Sequence, residues 1–213
     1  MLDLLSQVKQ HRIIVAVRGS PAAVLPTARA LHAGGVRLLE VTFDQASPTA
    51  LADTPAAIRQ VREAMGQEML VGAGTVLTAG QARAAVQAGA QYLLTPNLDL
   101  GVIEAAHALG VPVVPGAFTP TEITAAWNAG AALVKLLPAG SLGPSYIKAL
   151  TAPLSHIPPA GNGRVDEKNL TEYLSLPCMA GVGIGSNIAK KALVEAGDFA
   201  ALSALARRYT DQL

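Results

Sequence analysis

A single cysteine, Cys178, in 213 residues excludes an internal disulfide and a cysteine-rich metal site. Its natural place is that of a small buried hydrophobe in the last strand. Histidine is equally sparse: His11, His32, His107 and His156 are scattered, with no pair at ligand spacing, so neither a metal nor any other cofactor is expected. Charged residues make up only 15% of the chain and sum to a net charge of +1. With no basic run to concentrate a field, nucleic acid and membrane surfaces are not expected partners. An anionic small molecule needs only one or two arginines. The apolar runs are strand-length, well short of the ~18 residues of a membrane helix, and polar and acidic residues interrupt the apolar ones in the N-terminal MLDLLSQVKQHR, unlike a signal peptide. The expected location is the cytoplasm.

What the chain has is apolar residue, at 51%, enough for a large core with many buried strands. A chain of this length buries about 70% of its unfolded surface and is expected to form one domain spanning residues 1–213. Residues 2–10 read as a short amphipathic helix that plugs or caps part of the fold. Beyond it one joint recurs, a helix ending in glycine followed at once by a strand, in HAGGVRLLEVTF, QAGAQYLLTP, HALGVPVVPG and NAGAALVKLLP. Strands are expected near 12–17, 36–43, 69–74, 91–95, 111–115, 132–137, 155–160 and 179–184. Eight strands alternating with helices predict an α/β fold, a (β/α)8 TIM barrel with a short N-terminal helix. The rival is a doubly wound open sheet. Against it stand the strand count, the nearly equal units and the absence of a GxGxxG turn after the first strand.

On such a barrel, active-site residues gather at the C-terminal ends of the strands. The stretch AALVKLLP places one amine in an apolar strand: by alternation Leu133, Lys135 and Leu137 share a face. Burial disfavours an ammonium and leaves an amine able to attack a carbonyl and form a Schiff base; alternatively, Lys135 snorkels to water from a strand end. In VRLLEVTF, Glu40 shares a face with Leu38 and Thr42. A lone buried carboxyl suits proton shuttling, unless it is merely the ion partner of Lys135. Arg18, closing IIVAVRGS, can grip a carboxylate or phosphate in bidentate fashion, or can pair with a neighbouring acid. Thr75 follows the glycines of VGAGT, where a substrate can approach the backbone. Pro96 shapes the turn after the fourth strand, whereas Thr119 and Thr121 are read as helix caps. The stretches PPAGNGRV and GVGIGSN, after strands seven and eight, read as paired glycine-rich turns that make a phosphate site from Gly161, Gly163, Gly185 and Ser186.

With LLEVTF, VGAGTVLT, LLTPN, PGAFTPTE, VKLLPA and GIGS in this order, the sequence resembles the 2-keto-3-deoxy-6-phosphogluconate and 4-hydroxy-2-oxoglutarate aldolases from about Arg12 to the C-terminus. The resemblance implies a class I aldolase, a lyase needing no metal and usually a homotrimer, that releases pyruvate from a 2-keto acid. It makes Lys135 the Schiff-base lysine and Glu40 the general acid/base. Arg18 and Thr75 become holders of the pyruvyl carboxylate, Pro96 a pocket wall, and Gly161, Gly163, Gly185 and Ser186 the phosphate cradle. Departures from the gluconate pattern are Asp44 where a second arginine is usual, Leu137 in place of a ring that walls the pyruvyl group, and PAGNG in place of PTGG, in a loop about two residues longer. The pairing of TPN with GPSYIKAL is closer to the 2-keto-3-deoxy-6-phosphogalactonate branch. Two other classes stay open on the residues: an isomerase or epimerase of sugar phosphates with no covalent step, and a sugar-phosphate-binding barrel that has lost catalysis.

Overall fold

The computed structural model describes residues 2–213. Nine parallel strand segments form one sheet: β1 (Ile13–Val17), β2 (Leu38–Thr42), β3 (Leu70–Gly74), β4 (Leu93–Leu94), β5 (Val113–Val114), β6 (Gly116–Ala117), β7 (Val134–Leu136), β8 (Pro159–Asn162) and β9 (Gly181–Ile184). The order β5-β4-β3-β2-β1-β9-β8-β7-β6 puts at the two ends segments that are consecutive in the chain. They are halves of one strand that runs two residues beyond the predicted 111–115 and is divided at Pro115, which has no N–H to give to a ladder. Val113 and Val114 pair with β4, while Gly116 and Ala117 pair with β7. Lys135 N donates to Pro115 O at 2.9 Å and Ala132 N to Val113 O at 3.0 Å. The strand is therefore bonded on both sides and closes the predicted eight-stranded barrel; the open sheet is not formed.

Helices α2 (Pro21–Ala33), α3 (Ala50–Met65), α4 (Ala79–Gln87), α5 (Leu100–Ala108), α6 (Pro120–Asn128), α7 (Ala139–Thr151) and α8 (Leu170–Leu174) follow successive strands around the outside, and α9 (Lys191–Glu195) and α10 (Phe199–Thr210) end the chain. Outward-facing residues such as Val15, Leu39, Val71 and Val134 join the helices in one core. Inward-facing Ile14, Leu38, Tyr92, Leu94, Val114, Leu133 and Ala160 form a second, within the barrel. The predicted N-terminal helix, α1 (Leu4–His11), drives Leu4 and Val8 into that inner cluster and closes the lower end. Arg12 fastens it there, donating to Leu174 O, Met179 O and Ala180 O.

The seventh predicted strand lies further along the chain than expected. Residues 155–157 are in turns, with Ile157 N on Leu154 O, and β8 runs through the PAGN that the sequence suggested was loop. Pro158 and Pro159 enter the sheet only as acceptors, from Val134 N and Ala180 N respectively, a role that needs no amide hydrogen.

Candidate active site

Strand alternation and register set the interior. Glu40 lies on β2 between Leu38 and Thr42, in register with Ala16 and Gly72, and is 2% exposed. Room for its side chain comes from β3. A Cβ on Gly72 would fall within the ring of Tyr92, and one on Gly74 would fall within the carboxyl group of Glu40. Two glycines thus leave space for an acid and the phenol beside it. Tyr92 is fully buried and donates to Leu39 O at 2.7 Å; burial, and then the neighbouring Glu40 carboxyl, push its phenol well above its ordinary range. Thr42 Oγ1 donates to Glu40 Oε1 at 3.3 Å. Glu40 Oε2 is buried with no hydrogen-bond partner, an orphan that points to a function.

Lys135 is the middle residue of β7, in register with Gly116 on one side and Ala160 on the other. Its neighbours Val134 and Leu136 belong to the outer core, Leu133 and Ala160 to the inner one, so Lys135 faces into the barrel. It is 6% exposed, which excludes snorkelling from a strand end. The structural ion pair with Glu40 is also absent: among the described residues the ion pairs are His32–Glu68, Lys191–Glu195 and Arg208–Glu167. One barrel interior therefore holds a buried amine and a buried carboxyl that do not neutralise each other.

The remaining predicted positions surround these two. Gly116, next to Lys135, has Pro96 where a side chain would be; Thr95 Oγ1 accepts from Gly116 N and donates to Asn97 O, fixing that turn. Leu137 follows on the face of Lys135 and reaches the loop after the neighbouring β8, its Cδ1 lying 3.2 Å from where Gly163 would carry a Cβ. Thr75 caps β3 with φ 53, in the left-handed region that a β-branched residue rarely occupies, and its carbonyl accepts from Gln45 Nε2 at 2.7 Å. Such strain concentrates at working sites.

Arg18, Gly163, Gly185 and Ser186 come together around a cavity of about 180 Å3 at the mouth. Arg18 has no acidic partner within 4.0 Å, so the alternative of a structural pair is not realised. The backbone amides of Gly163, Arg164, Ser186 and Asn187 donate to no protein acceptor among the described residues, which suits a bound anion. Gly161 is placed elsewhere. Because Ala160 and Asn162 face inward, Gly161 faces outward in β8, where a Cβ would meet Met179 Cε at 2.9 Å. Two residues that the sequence did not single out complete the rim: Asn162, whose amide covers Gly183, and Arg164. Membership of Asn162 in a strand was hidden by its turn-like neighbours. Thr119 caps α6 in a reciprocal pair with Glu122, as expected, whereas Thr121 lies within the first turn of the helix and does not cap it. Among the described residues no three His, Cys, Asp or Glu side chains are grouped to hold a metal ion, and no helix is long and apolar enough to cross a membrane.

Residues 4–205 match the family model described as KDPG and KHG aldolase. The chain belongs to that aldolase family. It is 38% identical over 187 residues to the 2-dehydro-3-deoxy-phosphogluconate aldolase of Treponema pallidum, covering 86% of this chain and 84% of that one. To the 2-dehydro-3-deoxy-6-phosphogalactonate aldolase of Escherichia coli it is 36% identical over 178 residues, 83% of each. The barrel superposes with a TM-score of 0.86, at 27% identity and over 97% of both chains, on the KDPG aldolase of Legionella pneumophila, crystallised with pyruvate captured as a covalent carbinolamine. The enzyme is thus an aldolase, a lyase acting in carbohydrate metabolism.

Proposed function

We propose that the aldolase cleaves a 2-keto-3-deoxy-6-phospho sugar acid to pyruvate and a phosphorylated triose, with Lys135 as Schiff-base nucleophile and Glu40 as the proton carrier. The observation that carries this reading is the unpaired state of both groups inside one barrel: Lys135 has no ion pair and Glu40 Oε2 has no hydrogen-bond partner. The Lys135 amine adds to the 2-keto carbon, and loss of water from the carbinolamine gives an iminium. The iminium draws the electron pair of the breaking C3–C4 bond into an enamine. Glu40 takes the C4 hydroxyl proton as the aldehyde leaves and returns a proton to C3. Hydrolysis of the resulting iminium releases pyruvate and restores the amine.

Arg18 and Thr75 are assigned to the pyruvyl carboxylate, Pro96 and Leu137 to the pocket wall, and Gly163, Gly185 and Ser186 to the phosphate. The outward direction of Gly161 leaves it a place in the wall of β8 and no direct contact with the anion. The gluconate epimer is taken as substrate. The setting proposed is the cytoplasm and the assembly a homotrimer, for which sedimentation should give three times the 21.8 kDa chain mass.

Treatment with pyruvate and borohydride should attach a reduced adduct at Lys135, and Lys135→Ala should carry none; an adduct at Lys148, or nowhere, overturns the assignment. Glu40→Gln should still trap pyruvate while C3 proton exchange is lost, and retention of that exchange removes Glu40 from the mechanism. Pyruvate release measured on both phosphorylated epimers identifies the preferred one.

A further inference from the structure

The mouth carries a second guanidinium that the roles above do not use. Arg164 lines the same cavity as Arg18, Gly185 and Ser186, and neither arginine has an acidic partner within 4.0 Å. The acids that follow Arg164 in the chain are engaged elsewhere: Glu167 holds Arg208 at 3.2 Å, and Asp166 accepts from Lys168 N and Asn169 N within its own turn; Asp44 and Glu195, which line a cavity beside Arg18, form no ion pair with it. Arg164 is left without a carboxylate partner beside four free amides.

The backbone holds Arg164 in an unfavourable conformation. Its φ is 57, in the left-handed region, directly after Gly163 at φ 86. Three hydrogen bonds keep it there: Gly140 N to Gly163 O at 2.9 Å, Asn169 Nδ2 to Arg164 O at 3.1 Å, and Asn187 Nδ2 to Val165 O at 2.8 Å. Glycine or asparagine would meet that geometry at lower cost. An arginine kept there against its backbone preference is evidence for what its side chain does.

We propose that Arg164 is a specificity-determining residue, which with the free backbone amides of Gly163, Ser186 and Asn187 holds a dianionic phosphate at the end of the substrate remote from the keto group and so selects phosphorylated substrates over those ending in a carboxylate. The proposal rests on the aldolase reading. Ala160 is in register with Lys135, and Arg164 is four residues further toward the mouth, at most about 13 Å along an extended chain. A phosphate carried on C6 extends toward that rim, whereas a carboxylate attached directly to C4 stops short of it. A planar guanidinium and free backbone amides also match a tetrahedral dianion better than a lone point charge does.

The test compares steady-state cleavage of the 6-phosphorylated keto-deoxy acid and of 4-hydroxy-2-oxoglutarate by the wild type, Arg164→Ala and Arg164→Gly. Arg164→Gly suits the left-handed backbone and guards against a folding defect. Both variants should raise KM for the phosphorylated substrate at least about tenfold, as expected for a lost charge-assisted contact. Kinetics on 4-hydroxy-2-oxoglutarate and the borohydride-trapped pyruvate adduct should be unchanged. A KM for the phosphorylated substrate within twofold of wild type in Arg164→Gly, or equal losses on both substrates, overturns the role of Arg164. A wild type that traps no pyruvate and cleaves neither substrate is a separate result, and refutes the aldolase reading itself.

Discussion

Replacing Gly74 by alanine adds one methyl group where the Glu40 carboxyl lies. The new Cβ would sit nearer than 3.0 Å to Glu40 Oε1, Cδ and Cγ, closer than nonbonded atoms approach. The backbone of Gly74 is outside the left-handed region, so alanine meets no conformational penalty and gains about 0.4–1 kcal/mol from the stiffer unfolded chain. Against this, overpacking a filled interior costs about 1–3 kcal/mol. The net loss is about 1–2 kcal/mol, and at roughly 2–4 °C per kcal/mol for a chain of this size the melting temperature should drop by several degrees. The functional effect should be larger, because Glu40 must move: a displacement of about 1 Å costs on the order of 100-fold in a positioned proton transfer. C3 proton exchange of pyruvate, followed by NMR in deuterium oxide, should slow by about that factor, while borohydride trapping at Lys135 continues. The collision also predicts coupling. In a Glu40→Ala background the three atoms that the added methyl strikes are gone, so Gly74→Ala should no longer lower the melting temperature. Wild-type exchange in Gly74→Ala, or the same thermal penalty with Glu40 removed, would refute the idea that Gly74 exists to make room for the acid.

Two other changes test the surroundings. Glu122 accepts from Phe118 N and Thr119 N, both at 2.8 Å, and these backbone bonds hold its carboxyl below the ordinary value of 4.5. A depressed folded pKa gives stability that is present above the unfolded value and lost as pH falls through the folded one; Glu122→Gln should therefore be less stable than wild type at pH 7, by no more than about 1 kcal/mol, and the two melting curves should converge as pH falls below the ordinary 4.5 and through the lowered folded value. Parallel curves at all pH values would contradict the capping role. Thr75→Gly should relieve about 1–3 kcal/mol of left-handed strain, partly offset by the entropy of glycine, so its stability should match or exceed that of wild type while KM for pyruvate-bearing substrates rises. A marked fall in melting temperature would show that Thr75 is not strained.

The amine and the acid were legible because alternation along a strand is a strict rule: parity alone put Lys135 with Leu133 and Glu40 with Leu38, and both face inward. The same rule, applied one strand later, was spoiled by glycine, asparagine and proline. PAGN has the composition of a turn, yet its carbonyls and amides bridge β7 and β9, and its neighbours in the sheet decide that, not its own propensity. The reason for Gly74 was out of reach of sequence alone. Thr42 is the residue in register with Gly74, and the Glu40 side chain reaches it only by leaning along the barrel axis. Arg164 was missed for a related cause: nothing in GNGRV announces a left-handed arginine, a conformation imposed by Gly140, Asn169 and Asn187 from other parts of the chain.

The floor laid by Leu4, Val8 and Tyr92 turns the barrel from a tube into a well with a single opening. On the proposed mechanism a substrate bound at Lys135 would be its own stopper, and solvent would regain access to Glu40 only as product leaves the rim.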